Sequence, residues 1–187
     1  MNYELRIKDK NSQKNKGIVI TYYGDGKGKT TAALGLALRA AGYKKKVAII
    51  QFIKGNWPSG EESSIKGLGD VKIVKSGLGF VGIKNDTTTF SEHRKAAHRG
   101  LDLAEKEFAN RNDVLILDEI LGAVKGKLIS EKNVLDLISQ KPRELTLVLT
   151  GAPEISRIIE NSDLVTCMKK IKHPYDQGQE AIKGIDY

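Results

Sequence analysis

The segment that most constrains this chain is a glycine-rich stretch enclosed by a strand pattern and a helix pattern. An apolar, β-rich run at 18–23 leads directly into Gly-Asp-Gly-Lys-Gly-Lys-Thr-Thr at 24–31, and an Ala- and Leu-rich run continues to 41. Glycines let consecutive backbone N–H groups converge on one anion, and the start of the helix adds partial positive charge. Strand, loop and helix in this order predict a phosphate-binding loop, or P-loop. One departure is Tyr23, which stands where the general pattern has its first glycine.

Each residue type in this loop has a predicted role in binding ATP. Lys29 supplies a full positive charge for the triphosphate, and Thr30 supplies a hydroxyl oxygen of the kind that phosphate-bound Mg²⁺ takes as a ligand. The alternative, a glycine-rich turn without a ligand, is disfavoured by the Gly-Lys-Thr triplet and its flanks. The predicted nucleotide site comprises Gly24, Asp25, Gly26, Lys27, Gly28, Lys29, Thr30 and Thr31.

Short apolar runs alternate with helical patterns along the rest of the chain. The predicted strands cover 18–23, 47–53, 71–74, 114–117, 145–149 and 164–168. The predicted helices cover 30–41 and 90–109, with a third capped by Ser130 and a fourth that has Pro153 in its first turn. We therefore predict an α/β fold of the P-loop, RecA-like type, with three layers and a mostly parallel central sheet of about six strands.

Length and composition are those of one domain of ordinary size. The chain has 187 residues, of which 31 are basic and 23 acidic, giving a net charge of +8 that favours anionic partners. We predict one domain over 17–187 and a flexible basic tail over 1–16, where five basic residues stand against two acidic ones. A single cysteine and the lack of any apolar run of about 18 residues exclude disulfide-stapled folds and membrane spans, so we expect a reducing cytoplasm.

A later strand pattern ends in two acids. The apolar run at 114–117 is followed by Asp118 and Glu119. In P-loop proteins a strand beside the first one ends with an acid close to the metal of the nucleotide, so we expect this strand to lie next to the first. The two side chains point to opposite faces if the strand stays regular, so only one of them can be a direct ligand, and the choice is open. The alternative is a buried strand followed by an exposed acidic turn.

No nucleophile and base accompany these motifs. His93, His98 and His173 are scattered along the chain, and Cys167 lies in an apolar stretch where we expect a buried, inert thiol. These features are equally typical of a kinase, a motor ATPase or another protein that uses ATP.

Several segments outside the P-loop form a more specific pattern. They are Gly-Leu-Ala-Leu-Arg-Ala-Ala-Gly at 35–42, Val-Ala-Ile-Ile-Gln-Phe-Ile-Lys-Gly at 47–55, Trp57-Pro58, Gly60-Glu61, Gly79-Phe80, Leu117-Asp118-Glu119, Asp-Leu-Val-Thr at 163–166, and Lys-His-Pro-Tyr-Asp at 172–176 with Gly178, Ala181 and Gly-Ile-Asp-Tyr at 184–187. With these segments the chain, from about residue 17 to 187, resembles the ATP:corrinoid adenosyltransferases of the P-loop type.

The resemblance implies an enzyme that transfers the 5′-deoxyadenosyl group of ATP to the reduced Co(I) centre of a corrinoid and releases triphosphate, in cobalamin biosynthesis or salvage. Co(I) is itself a strong nucleophile, so such a protein does not have to generate one. The resemblance also implies that the nucleotide lies reversed relative to most P-loop proteins and presents its C5′ atom to cobalt. It further implies a homodimer and a flavoprotein or flavodoxin-type reductant.

The resemblance also assigns roles to individual residues. Lys29 and Glu119 are the implied catalytic residues. Mg²⁺ or Mn²⁺ is held by Thr30 and Glu119, with Asp118 as the other candidate ligand.

Two departures from the family pattern affect the predicted substrate contacts. Phe80 and Trp57 are the implied corrinoid contacts, with ordinary core aromatics as the alternative, and Gly82 stands where the family often has tryptophan in Gly-Phe-x-Trp. After the fifth strand the chain has Thr-Gly-Ala, so Ala152 replaces a common arginine. We expect Arg157 or a basic tail residue to supply the missing phosphate contact.

Two other functions remain alternatives to adenosyl transfer. A RecA-like ATPase that binds nucleic acid is suggested by the P-loop, the acid pair and the basic charge. One minimal domain without interleaved aromatic and basic residues argues against it, so nucleic acid is not an expected partner. The other alternative is a regulator that only binds a corrinoid or a nucleotide.

Overall fold

The computed structural model describes residues 16–55, 59–65, 67–83 and 86–186, in which one or two helices follow each of the first five strands. The strands are β1 (Val19–Tyr23), β2 (Val47–Gln51), β3 (Val71–Lys75), β4 (Val114–Asp118), β5 (Thr146–Gly151) and β6 (Leu164–Cys167). The helices are α1 (Lys29–Gly42), α2 (Gly60–Ile65), α3 (Phe90–Ala109), α4 (Ile120–Lys125), α5 (Glu131–Gln140) and α6 (Ser156–Glu160), with a final 3₁₀ turn at Pro174–Gln177.

The six strands form one sheet in the order β3-β2-β4-β5-β1-β6. Every pairing between them is parallel. The predicted α/β fold with a central sheet of about six strands is confirmed. The expectation that the acid-bearing strand lies beside the first is wrong, because β5 lies between β4 and β1.

Helices cover both faces of the sheet, which gives the three predicted layers. On one face, α1 and α2 pack against alternate strand residues such as Ile49 and Ile116. On the other face, α3, α4, α5 and α6 pack against the intervening residues, such as Ile50 and Leu117. These four strand side chains are at most 1% exposed. Full burial of one such side chain contributes about 1.5–3 kcal/mol to folding, so both faces support the sheet.

Two helix boundaries follow from local sequence. Thr89 accepts from the backbone N–H of Glu92 and Glu92 from that of Thr89, a capping box that starts α3 where it is predicted. Ser130 and Asn133 form the same reciprocal arrangement at the predicted start of α5.

Other predictions about local structure are wrong. Pro153 does not lie in the first turn of a helix, because Ile155 is the residue before α6. The short helices α2 and α4 were not predicted, since neither is long enough to display a helical period. Cys167 is exposed rather than buried, because β6 is an edge strand whose four residues are all exposed. Of the predicted basic tail at 1–16, all but Lys16 lies outside the described residues.

Candidate functional site

The P-loop leaves β1 through a sharp turn at Gly24. Tyr23 is still a regular strand residue, paired with Gly151 on β5 and Cys167 on β6. The next residue, Gly24, has a φ of 119°. A Cβ on Gly24 would lie 2.3 Å from the Met168 carbonyl oxygen, so only glycine fits. The glycine turn therefore comes one residue after the position where the general pattern has its first glycine.

Lys29 and the start of α1 create the positive end of the loop. The Lys29 ammonium donates to the Gly26 carbonyl at 2.7 Å, which folds the side chain back over the loop. Gly28, with a φ of 113°, precedes the helix, and in the part of the chain that is described no side chain caps this end. The first N–H groups of a 14-residue helix are therefore available to an anion beside the Lys29 charge.

Thr30 and Asp118 meet at the carboxyl edge of the sheet. The Thr30 hydroxyl donates to Asp118 Oδ1 at 2.9 Å, and the Thr150 hydroxyl donates to the same oxygen at 2.8 Å. Thr150 also accepts the backbone N–H of Glu119 at 2.9 Å. Because Thr150 lies on β5, it fills the space between the P-loop strand and the acid-bearing strand. Asp118 is only 4% exposed, so its charge acts in a shielded setting.

Gln51 supplies a further contact to Asp118. Its side-chain N–H donates to Asp118 Oδ2 at 3.3 Å. Its backbone carbonyl accepts from Ser76 and Gly77, which begin the loop after β3. Gln51 therefore joins the Asp118 carboxylate to the segment that leads to Phe80. The sequence reasoning missed Gln51 and Thr150, although both are polar residues near the carboxyl ends of otherwise apolar parallel strands, where sites of α/β folds lie.

Glu119 has an unusual backbone conformation and a perturbed pKa. Its φ of 60° and ψ of 24° are left-handed, a strained conformation for a residue with a side chain. Burial raises the pKa of Glu119, the Asp118 charge raises it further, and the Lys29 charge lowers it. The charges of Asp118 and Lys29 therefore both influence the protonation of Glu119.

The oxygen atoms at this edge suit a hard divalent cation. Mg²⁺ takes oxygen ligands and is usually bound by one or two carboxylates together with substrate phosphates. Thr30 and Asp118 present such oxygens within 2.9 Å of each other, and Glu119 follows Asp118 directly. Burial is the main cause of the raised pKa of Glu119, and a cation would offset the second cause, the Asp118 charge. The residues therefore fit Mg²⁺ or Mn²⁺.

The side chains of two loop residues contact the C-terminal segment, defined here as residues 168–186. Asp25 accepts the backbone N–H of Lys170 at 2.9 Å, and that bond holds the pKa of Asp25 below its ordinary value. Lys27 forms an ion pair with Asp186. Thr31 is exposed on the first turn of α1. The segment therefore covers the outer side of the P-loop.

The predicted corrinoid and arginine positions have different surroundings. Phe80 is 58% exposed in the loop after β3, so it is not a core aromatic, whereas Trp57 lies outside the described residues. Arg157 pairs with Glu131 at 3.3 Å rather than with the P-loop. The Ala152 carbonyl, at the position where the resemblance implies an arginine, accepts the Gly24 N–H at 3.1 Å, so this residue borders the loop.

The tyrosine before the loop and the exposed cysteine form one further contact. Tyr23 and Cys167 are paired across β1 and β6, and the neighbouring thiol raises the pKa of the Tyr23 phenol.

Solved structures show where the fold belongs. A KaiC-like protein from the archaeon Pyrococcus horikoshii superposes with a TM-score of 0.52 over 84% of this chain and 75% of its own, at 19% identity. This likeness shows the fold alone, and it agrees with the predicted RecA-like P-loop architecture.

Sequence relatives and a family model are more specific. The corrinoid adenosyltransferase of Escherichia coli is 33% identical over 98% of this chain and 95% of its own length. The corrinoid adenosyltransferase CobA of Salmonella typhimurium is 32% identical over 94% of this chain and 88% of its own. The family model for the ATP:corrinoid adenosyltransferases BtuR, CobO and CobP matches residues 15–187. With a P-loop facing a shielded acid and this similarity over nearly its whole length, the chain belongs to the ATP:corrinoid adenosyltransferase family, a family of transferases.

Proposed function

We propose that this protein transfers the 5′-deoxyadenosyl group of ATP to the Co(I) centre of a corrinoid and releases triphosphate, in cobalamin biosynthesis or salvage. The observation that carries the proposal is the 2.9 Å contact between Thr30 and Asp118 beside Lys29, in a chain of this family. In the reaction, the Co(I) electron pair forms the bond to C5′. The C5′–O5′ bond breaks, and its electron pair leaves with the triphosphate.

The protein's task in this reaction is to bind, orient and stabilise charge. Lys29 and the N–H groups at the start of α1 hold the triphosphate and stabilise the negative charge that grows on it. Thr30 with Glu119, and Asp118 as the further ligand, would hold Mg²⁺ or Mn²⁺, which supplies additional positive charge to the triphosphate. Holding C5′ in line with cobalt accounts for much of the remaining rate, because orientation lowers the entropic part of the barrier.

The loop residues divide into two groups in this proposal. Gly24, Gly26 and Gly28 shape the loop, and Lys29, Thr30 and Thr31 begin the helix that faces the triphosphate. Asp25 and Lys27 lie under the C-terminal segment.

Of the two proposed corrinoid contacts, Phe80 is the one that lies within the described residues. More than half of its side chain is exposed. An exposed aromatic ring can contact the apolar face of a macrocycle. We also propose Trp57 as a corrinoid contact, on the family resemblance alone.

The family resemblance supports three further proposals about the cellular setting. We propose that the protein is a homodimer, that a flavoprotein or flavodoxin-type reductant delivers the electron for Co(I), and that it works in the cytoplasm. None of the helices in the described ranges combines the length and the apolar character of a membrane span.

Product analysis tests the reaction. Purified protein is given ATP, Mg²⁺ and chemically reduced cobalamin, and the expected products are a light-sensitive cobalt–carbon bond and triphosphate. Absence of the cobalt–carbon product with every corrinoid tried would contradict the proposal. Phosphate release stimulated by DNA would support the nucleic-acid ATPase, which the family membership does not favour.

Lys29→Ala supplies the matched test of the site. We expect kcat/KM to fall by about 100-fold or more, which corresponds to the loss of one preorganised charge contact. Lys45→Ala is the control, because Lys45 pairs with Asp113 on the surface at the opposite edge of the sheet. A Lys29→Ala protein that kept full activity would contradict the phosphate role.

A further inference from the structure

The loop after β3 exposes an unusual amount of apolar surface. Within six positions four large apolar side chains are 40–58% exposed: Leu78, Phe80, Val81 and Ile83. Exposed apolar side chains that lie together mark a binding surface more often than isolated ones do. We call residues 78–83 the apolar loop.

The apolar loop begins from a backbone that is firmly tied to β2. The Gly79 N–H donates to the Ile53 carbonyl at 2.8 Å, and Gly77 donates to the Gln51 carbonyl at 3.1 Å. A Cβ on Gly77 would lie 2.5 Å from the Phe52 carbonyl oxygen, so the two backbones are in direct contact. The first half of the loop is thus set by the strand that also contacts Asp118.

Asp86 ties the far end of the apolar loop. Its Oδ2 atom accepts the Gly82 N–H at 2.8 Å, and its Oδ1 atom accepts the Thr88 N–H at 3.0 Å. Gly82 has a φ of 70°, so the chain reverses there. The Gly82 and Thr88 N–H groups lower the pKa of Asp86, which therefore carries a charge at neutral pH. One carboxylate thus holds the turn that follows Phe80.

His93 connects this carboxylate to the body of the protein. Its Nε2 atom lies 3.1 Å from Asp86 Oδ2 and 3.3 Å from Oδ1. An ionised carboxylate only accepts hydrogen bonds, so Nε2 carries the hydrogen. The His93 side chain is buried, and the residue is 2% exposed. The backbone N–H of His93 donates to the Thr89 carbonyl at the start of α3.

Helix α3 is itself fixed against the start of the loop. A Cβ on Gly100 would lie 2.6 Å from the Ser76 hydroxyl and 2.8 Å from the Phe52 ring, so α3 approaches both residues closely. His93 therefore projects from a helix that cannot shift without disturbing β2 and the loop.

We propose that His93 is a positioning residue for the corrinoid, acting through Asp86 to hold the apolar loop, with Phe80 on it, in the conformation that receives the macrocycle. The proposal rests on the proposed function and adds the residues that prepare the corrinoid surface. A loop that is already held in its binding conformation loses less conformational freedom when the corrinoid binds. Loss of the Asp86–His93 contact therefore weakens corrinoid binding and leaves ATP binding unchanged.

Kinetic constants for the two substrates test this proposal. In His93→Leu we expect KM for the corrinoid to rise by about tenfold while KM for ATP stays within about twofold. His93→Gln, whose amide can donate to Asp86, restores most of the corrinoid affinity. His98→Leu is the control, because His98 lies on the same helix five residues further on and has no part in the Asp86 contact. An unchanged KM for the corrinoid in His93→Leu overturns the proposal, as does an equal rise in both KM values.

A second readout separates this proposal from the reaction itself. Chymotrypsin cleaves after exposed phenylalanine, and without any corrinoid we expect His93→Leu to be cut after Phe80 about fivefold faster than His98→Leu, because the loop opens more often. Asp86→Ala is expected to act like His93→Leu, and the double variant no worse than either. Equal cleavage rates overturn the proposal even if the wild-type protein forms no cobalt–carbon bond. If His93→Leu fails to fold, Asp86→Ala and His93→Gln decide by the same measurements.

Discussion

The Thr30 hydroxyl lies 2.9 Å from Asp118 Oδ1, although 88 residues and a whole intervening strand separate the two residues. The contact exists because β1 and β4 both end at the same edge of a parallel sheet. Thr150, at the end of β5, closes the gap between them by bonding the same carboxylate oxygen. The site therefore depends on three strands rather than on the two that carry the recognisable motifs.

The first prediction concerns Thr150→Val, which keeps the shape of the side chain and removes its hydroxyl. Asp118 loses a donor, and the Glu119 N–H loses its acceptor. Leaving a buried polar group unpaired costs about 1–3 kcal/mol, so we expect the free energy of unfolding to fall by about that amount. We also expect weaker ATP binding, because Asp118 is no longer held toward Thr30. Denaturant unfolding and calorimetry measure the two effects.

Thr146→Val is the control for that experiment. Thr146 lies at the other end of the same strand, at the amino edge of the sheet. We expect its unfolding free energy and ATP affinity to stay close to wild type. Equal losses in the two variants would show that β5 merely prefers threonine and that the bridge to Asp118 has no special role.

The second prediction is a pH dependence at Glu119. Burial and the Asp118 charge raise the pKa of Glu119 in the folded protein above its value in the unfolded chain. A raised carboxyl pKa favours folding below the unfolded pKa, and that contribution is lost as pH rises through the folded pKa. In the absence of metal, Glu119→Gln should therefore raise the Tm at pH 7. The difference should disappear below about pH 4, where the carboxyl is protonated in both states.

Thermal unfolding measured from about pH 3, below the unfolded pKa of a glutamate, up to about pH 8 tests this effect. A stabilisation of about 1 kcal/mol corresponds to about 2–4 °C in a domain of this size. Glu105→Gln is the control, since Glu105 is exposed on α3. Glu119→Gln should also lose most metal-dependent activity, and a variant that is both active and no more stable than wild type contradicts the proposed role.

Much of the fold could be predicted because its signals are local. Apolar strand runs and the capping residue Ser130 depend on near neighbours in sequence, and their boundaries agree with the structure to within about two residues. The strand order could not be read in the same way. Parallel neighbours are chosen by the packing of whole layers, so the position of β5 between β1 and β4 has no local signature.

The site residues also differ in whether a local sequence signal identifies them. The roles of Lys29 and Asp118 could be predicted because the residue types in their motifs indicate phosphate and metal binding. These roles remain predictions for experiment. Gln51 lies in a segment of the family resemblance that assigns it no role, and its contact with Asp118 joins segments far apart in the chain. The His93–Asp86 pair belongs to no motif, because its contact depends on how the loop meets the start of α3. Asp163 shows the converse. It belongs to a segment that carries the family resemblance, yet its carboxylate accepts the Val19 N–H and so holds β1 in place.

The third prediction concerns the ion pair between Lys27 and Asp186. The Asp186 carboxylate neutralises a lysine of the P-loop and repels a triphosphate. Asp186→Asn should therefore lower the Kd for ATP by about two- to fivefold at low salt, and the difference should shrink toward 0.5 M salt, where the Debye length is only about 4 Å. Titration calorimetry at several salt concentrations measures both effects.

Asp136→Asn is the matched control for the Asp186 variant. Asp136 also pairs with a lysine, Lys132, but on the exposed face of α5. We expect its ATP affinity to equal that of wild type. Weaker ATP binding in Asp186→Asn would instead mean that the C-terminal segment helps to hold the nucleotide.

The fourth prediction concerns Ala152, the position at which the family resemblance implies an arginine. The Ala152 carbonyl bonds the Gly24 N–H, and the Ala152 side chain is exposed, so a longer side chain has room beside the loop. A guanidinium there can reach the triphosphate and form charge-assisted hydrogen bonds. Because the position is exposed, solvent screening weakens these bonds. We expect Ala152→Arg to lower the Kd for ATP by about two- to tenfold. Ala109→Arg adds the same charge at the last residue of α3, near the opposite edge of the sheet, and should leave the Kd unchanged. If both variants tighten ATP binding equally, net charge alone is responsible, and if neither does, position 152 does not face the triphosphate.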